Sequence, residues 1–340
     1  MDQWTFFDEL KAGTVRNVYL FYGPEAFIRK SALAALEKKV LQPGLEDLNR
    51  TILSAPGAQQ VIESCETLPM MSDYRVIVVR DCTLIQPGKD KAEEQADAQL
   101  LAQYLPRVPA STCLVFDAGA SVDKRKKLTA ALMKTPGAVS FDALDDVHLF
   151  RWMNQTLRPM GRKMGREACE ALAFASGRDL TLLHGELSKL AAYTDGREEI
   201  TAADVEQIAT HTAECTVFTM VDAISEGRAQ RAFQLFGTLI TAGEARIGIL
   251  AMITRHYRQM MHLCAMRDTR MAPAQIAKEL AVPPFAVTKL QKQTAKRSYE
   301  EMKACVELCV QTDFDVKRGA AREDAALERL ILMLLERSAK

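Results

Sequence analysis

The residues of this chain that come nearest to a catalytic constellation lie in GPEAFIRKS, at positions 23–31. A phosphate-cradling loop needs G-x-x-x-x-G-K-S/T: glycines let backbone amides approach the phosphates, the lysine matches their charge, and the hydroxyl holds magnesium. With Gly23 as the first glycine, the second falls on Ile28, the lysine on Arg29 and the hydroxyl on Lys30. Shifted by one place, Lys30 and Ser31 match, but Pro24 and Arg29 stand where the glycines belong. Either register loses the close approach. The apolar run at 112–118 ends in Asp117 followed by Ala118, without a second acid to activate water. Neither nucleotide hydrolysis nor a bound cofactor is expected from this stretch.

The remaining chemistry-bearing residues are scattered. Histidines stand at 148, 184, 211, 256 and 262, and no HExxH or GxSxG motif occurs. His256 and His262, six apart, lie on different faces of a helix. Eight cysteines are dispersed from Cys65 to Cys309 without paired CxxC motifs, which predicts reduced core thiols rather than a zinc site. Cys305 and Cys309 share a helical face but have no nearby third ligand, so core packing is their expected role. No catalytic residue and no metal ligand is assigned.

The elements that would position any site fall into a clear order. At 340 residues, 48% apolar and 26% charged, the chain reads as an ordinary globular protein of two or three domains. Its N-terminus has no signal-peptide pattern and its most apolar run, 330–335, is too short to span a bilayer, so a cytoplasmic location and no membrane partner are expected. Short apolar strands are predicted at 18–23, 48–53, 76–79, 112–118 and 138–143. Helices alternate with them, including 59–67, 91–104 and 124–134, which implies an α/β domain with a parallel sheet over 1–145. Beyond Asp145 the strand signal disappears. Residues 146–212 read as a small helical domain in which Thr201 N-caps a helix with Asp204 at its third position. Residues 213–340 read as a helical bundle. The 44 basic and 44 acidic residues balance, yet basic residues exceed acidic ones only over 213–340, by 19 to 15, which is where a phosphate backbone is most plausibly met.

One connector is anomalous. In VIESCETLPMMSDYRVIVVR, residues 61–80, a helix joins a buried strand through Leu68, Pro69, Met70 and Met71, apolar where connectors are usually polar. Pro69 disfavours continuing the helix through Leu68. Two adjacent methionines either fold under as core filler, the commoner fate of apolar side chains, or stand out as an adaptable plug for a partner's pocket. The residues themselves leave both open.

Several segments together resemble the delta subunit of bacterial DNA polymerase III, a clamp-loader family with an AAA+-like fold. They are VYLFYGPEAFIRKSALAAL, LPMMSDYRVIVVRD, SGRDLTLLHGELSKLAAY, TVFTMVDAISEGRAQRAFQLFGTLI and DFDVKRGAAREDAALERLILML, which span essentially the whole chain in order. The resemblance implies an AAA+-like parallel-sheet N-terminal domain without a functional phosphate loop, a small helical lid domain and an all-helical collar. It implies no catalytic activity. It also implies a clamp-binding plug of Leu68, Met70 and Met71 that favours opening of the ring-shaped sliding clamp (the beta ring), with Met71 where a phenylalanine is frequent. Implied partners are the clamp, ATPase subunits of gamma/tau and delta prime type, and primed DNA within the assembly.

A second reading rests on residues 272–297, APAQIAKELAVPPFAVTKLQKQTAKR, which look like a helix-turn-helix broken at Pro283 and Pro284. Lys289, Lys292 and Lys296 then form one basic face suited to phosphate rather than to base edges, so they are possible DNA contacts. The alternative function is a helix-turn-helix regulatory protein. The basic run at 124–127, KRKK, is expected to be a solvated helix start.

Overall fold

The computed structural model describes residues 1–88, 92–267, 269, 271–282 and 284–338. The chain divides into two compact units, Met1–Leu149 and Phe150–Lys340. The first is built on a five-stranded sheet: β1 (Val18–Tyr22), β2 (Arg50–Ser54), β3 (Arg75–Arg80), β4 (Thr112–Asp117) and β5 (Ala138–Ser140), in the order β2-β3-β4-β1-β5. Every pairing is parallel, as expected from short apolar strands alternating with helices. β3 lies inside the sheet, and Val76, Ile77, Val78 and Val79 are fully buried there, which is why they form a continuous apolar run rather than an alternating one. β2 is an edge.

Side-chain alternation sends successive residues to opposite faces. On one face Leu20, Ile77, Val79, Leu114 and Phe116 pack against Val61 and Cys65 of helix Ala58–Glu66, Leu101 of helix Ala92–Tyr104, and Leu128 and Leu132 of helix Lys127–Met133. On the other, Phe21 meets Phe6 and Phe141 edge-on, with both pairs of ring centroids 5.2 Å apart. The expected helix start at Lys91 lies outside the described residues. Helix Lys127–Met133 begins later than expected because residues 124–126 form a turn. Lys126 is buried and donates to the Thr83 carbonyl (2.7 Å), so the basic run is not uniformly solvated.

In the second unit, two strands escaped sequence reading: Lys163–Met164 pairs in parallel with Glu199–Ile200. Two residues are too few to show a period of two, so no pattern announces them. Asn154 fixes one of them. Its Oδ1 accepts from Met164 N (2.9 Å), and its Nδ2 donates to Met164 O and Phe150 O (both 3.1 Å). The Thr201 cap forms as expected: Thr201 Oγ1 accepts from Asp204 N, and Asp204 Oδ2 accepts from Thr201 N (2.8 Å). The Arg197 guanidinium and these bonds lower the Asp204 carboxyl to about 2.

From Ala213 onward the described residues form helices joined by loops, and the long helices Arg246–Ala265, Tyr299–Lys317 and Glu323–Ser338 enclose a core of Ile253, Tyr257, Met260, Cys309, Leu330 and Leu334. Cys305 and Cys309 belong to this core, their thiols pushed by burial up to about 11 and about 12. All eight cysteines are free thiols and seven are buried. The fold class is therefore the α/β and helical arrangement expected from the sequence.

Candidate functional site

Helix Ala58–Glu66 stops at Thr67, whose hydroxyl donates to Glu63 O (2.9 Å), and the next residues run as a connector to β3. Both ends of this connector are tied to the unit. Thr112 Oγ1 donates to Cys65 O (2.9 Å), and the Tyr104 hydroxyl donates to Glu66 Oε1 (2.6 Å). At the far end, Arg75 Nη2 donates to Thr51 Oγ1 (2.9 Å). Between these anchors Leu68, Met70 and Met71 are 78%, 58% and 83% exposed. They are not core filler. The methionines that do fill cores, Met153, Met220 and Met260, are fully buried. An exposed run of three large apolar side chains on one anchored loop is a candidate interaction surface, and Met side chains adapt to the pocket that receives them.

A residue that sequence reading missed holds this loop. Asn49, the last residue of the one-turn helix Glu46–Asn49, is fully buried. Its Oδ1 accepts from Met70 N (2.6 Å), and its Nδ2 donates to Met70 O (2.9 Å) and Leu45 O (3.1 Å). The next residue, Met71, takes a left-handed backbone with φ of 53°. Leu48, beside Asn49 in the chain, is 50% exposed. Nothing in the spacing of positions 49 and 70 links them, so only the fold reveals the pair.

The turn at Gly23 is closed by its own side chains. Arg29 is buried, and its Nε donates to Asp117 Oδ1 (2.7 Å) and its Nη1 to Gly23 O (2.6 Å). The Gly23, Glu25 and Ala26 amides donate to carbonyls of Gly119, Phe141 and Pro24, so three donors of the turn are engaged within the protein. A Cβ at Gly23 would stand 2.3 Å from Phe141 O, which explains a glycine here without invoking a phosphate.

The 272–297 segment forms helices Pro273–Glu279 and Pro284–Thr294; Pro283, the expected break, lies outside the described residues. Ile276, Leu280, Val287 and Leu290 are buried in the helical core that also holds Ile253, Tyr257 and Leu330. Lys289 and Lys292 line a cleft of about 600 Å³ that also holds Glu167, Glu170 and Glu206. Lys289 Nζ sits 4.4 Å from the centre of the Phe174 ring, a cation–π contact. Lys296 falls beyond the helix end at Thr294, so the three lysines do not share one helical face. Among the described residues, no group of three His, Cys, Asp or Glu is placed to hold a metal ion, and no helix is long and apolar enough to cross a membrane.

Comparison with known proteins places these features in a family. Residues 19–142 match the family "DNA polymerase III, delta subunit", and residues 214–334 match "DNA polymerase III delta subunit, C-terminal domain". The chain is 27% identical to the DNA polymerase III subunit delta of Bacillus subtilis over 334 residues, 97% of this chain and 96% of that protein. The solved structure of the Bacillus subtilis DNA clamp loader delta protein covers 98% of this chain with 99% of its own, at 25% identity and a TM-score of 0.59. A Thermotoga maritima RuvB structure aligns with 86% of the chain at 12% identity and a TM-score of 0.37. The two family matches cover most of the chain in order, and its α/β unit and helical remainder correspond to the delta structure over nearly its full length: the chain belongs to the DNA polymerase III delta-subunit family, the clamp-loader delta subunits.

Proposed function

We propose that this clamp-loader subunit binds the sliding clamp through Leu68, Met70 and Met71, and that it favours the open ring by binding that form more tightly than the closed one. The observation that carries the reading is the exposure of all three side chains on a loop anchored at both ends. Apolar anchors of this kind are worth about 2 kcal/mol or more each when truncated at an interface. The test is Met70→Ala with Met71→Ala, followed by clamp titration and thermal unfolding on the same sample. Loss of clamp binding with an unchanged melting temperature supports the reading, and unchanged affinity sinks it.

Within this function the chain acts as a cytoplasmic, non-catalytic partner. Residues 1–145 form the clamp-binding domain, 146–212 the small helical domain, and 213–340 the collar that assembles with ATPase subunits of gamma/tau and delta prime type. Arg29 and the engaged amides of the Gly23 turn support the absence of nucleotide binding. Calorimetry with magnesium and ATP should accordingly be silent, and saturable heat would refute this part. Lys289, Lys292 and Lys296 are the proposed contacts to the phosphates of primed DNA in the assembly, all three being exposed. A separate DNA-reading role for the 272–297 helix pair is not favoured, since its apolar residues are committed to the collar core.

A further inference from the structure

We propose that Asn49 is the positioning residue of the clamp-binding loop, holding it in its docking conformation before the partner arrives; this rests on the plug reading above. A free connector bearing two methionines would sample many conformations. Ordering the backbone of such a loop on binding costs conformational entropy. A loop already held in one backbone conformation has met part of that cost during folding.

The hydrogen bonding is specific to a side-chain amide. Asn49 presents one acceptor to Met70 N–H and one donor to Met70 O, so a single side chain engages both backbone polar groups of the central plug residue. The second Nδ2 hydrogen goes to Leu45 O, which ties the amide to its own helical turn. A carboxylate offers no donor and an aliphatic side chain offers neither group. Asn49 is fully buried, so its own side of these bonds is shielded from water. Its backbone N–H also donates to Leu45 O (3.2 Å), so the clamp stands on a fixed support.

The geometry on the loop side agrees. Met71 holds a left-handed conformation that is unfavourable for a non-glycine residue. Such a residue persists where its surroundings determine the backbone, and the flanking anchor is Met70. The outcome is that the backbone of Met70 is fixed from inside while its side chain and that of Met71 remain outside.

The experiment uses the full chain and its own sliding clamp. In the unbound protein, hydrogen exchange should show the Met70 amide at least tenfold slower than those of Met71 and Ser72, neither of which Asn49 engages. Asn49→Leu, similar in size but without the amide, should weaken clamp affinity about tenfold, abolish the Met70 protection and leave the folded fraction intact. In a Met71→Ala background the same substitution should cost less than in the wild type, because there is less plug left to position. Wild-type affinity in Asn49→Leu overturns the positioning role, as does an unprotected Met70 amide in the wild type. That second measurement stands even if Asn49→Leu does not fold. Loss of affinity in Met70→Ala/Met71→Ala together with wild-type affinity in Asn49→Leu removes only this inference, whereas wild-type affinity in the double variant removes the plug itself.

Discussion

Asn49 and Asn154 make the same hydrogen bonds in different units. Each accepts from the N–H of a distant methionine, donates to that methionine's carbonyl, and donates to the carbonyl four residues earlier in its own chain. What they hold differs. Asn154 fixes Met164, only 5% exposed and part of a short strand, whereas Asn49 fixes Met70, more than half exposed on a loop. A side-chain amide sets only the backbone path of the segment it grips. Whether the gripped side chain serves a core or a surface is decided by what packs around it, so one device yields a structural seam in one place and the proposed docking surface in the other.

The widest separation between the two regions should come from the plug. Met70→Ala with Met71→Ala is expected to lower clamp affinity by about two orders of magnitude or more with little change in melting temperature, by the usual worth of apolar interface anchors. Buried methionines would instead have cost roughly 2–5 kcal/mol of stability each. Asn154→Leu should show the reverse. Leaving the Met164 backbone groups without their partner costs about 2 kcal/mol of stability, seen as a lower melting temperature, while the clamp affinity of the folded protein stays within twofold of wild type.

Acid should sharpen the contrast between the units. His256, buried against Phe218 and bonded to Gln293 (2.8 Å), is pushed by burial down to about 4. Its folded value lies below the ordinary 6.5, so the unfolded chain binds the proton first. The second unit therefore keeps this contribution above about pH 6.5 and loses it as pH falls towards 4. By pH 5 the loss approaches roughly 2 kcal/mol at about 1.4 kcal/mol per unit. It is partly offset by Asp222, bonded to Gln293 and raised by burial, which takes up a proton more readily in the folded state. Calorimetric unfolding at pH 7 and pH 5 measures it, and His256→Gln should flatten the dependence. The smallest effect is expected outside the proposed docking loop: Leu48→Ala, at a half-exposed position beside Asn49 in the chain, should weaken clamp binding about threefold or less, as flanking contacts do around a central anchor. A loss as large as that of the methionines would move the centre of the surface towards β2.

The sequence by itself determined the order of the five strands along the chain, their parallel pairing, the helical remainder and the Thr201 cap. Those depend on local pattern: apolar runs of strand length separated by helices, and a hydroxyl three places before an acid. It also placed Leu68, Met70 and Met71 on a connector, because Pro69 and the strand that follows leave little else. It did not determine that they are exposed, since an apolar connector is written identically whether it tucks under or stands out. Tertiary structure decided that, through Thr112 and Tyr104 at one end, Arg75 at the other, and the buried amide of Asn49 between them. It likewise separated Lys296 from Lys289 and Lys292 by ending the helix at Thr294, and it turned Arg29 inward onto Asp117. The anchors of the loop and the Arg29–Asp117 pair rest on contacts between residues far apart in the chain, and no spacing or periodicity encodes which distant partner a side chain will meet.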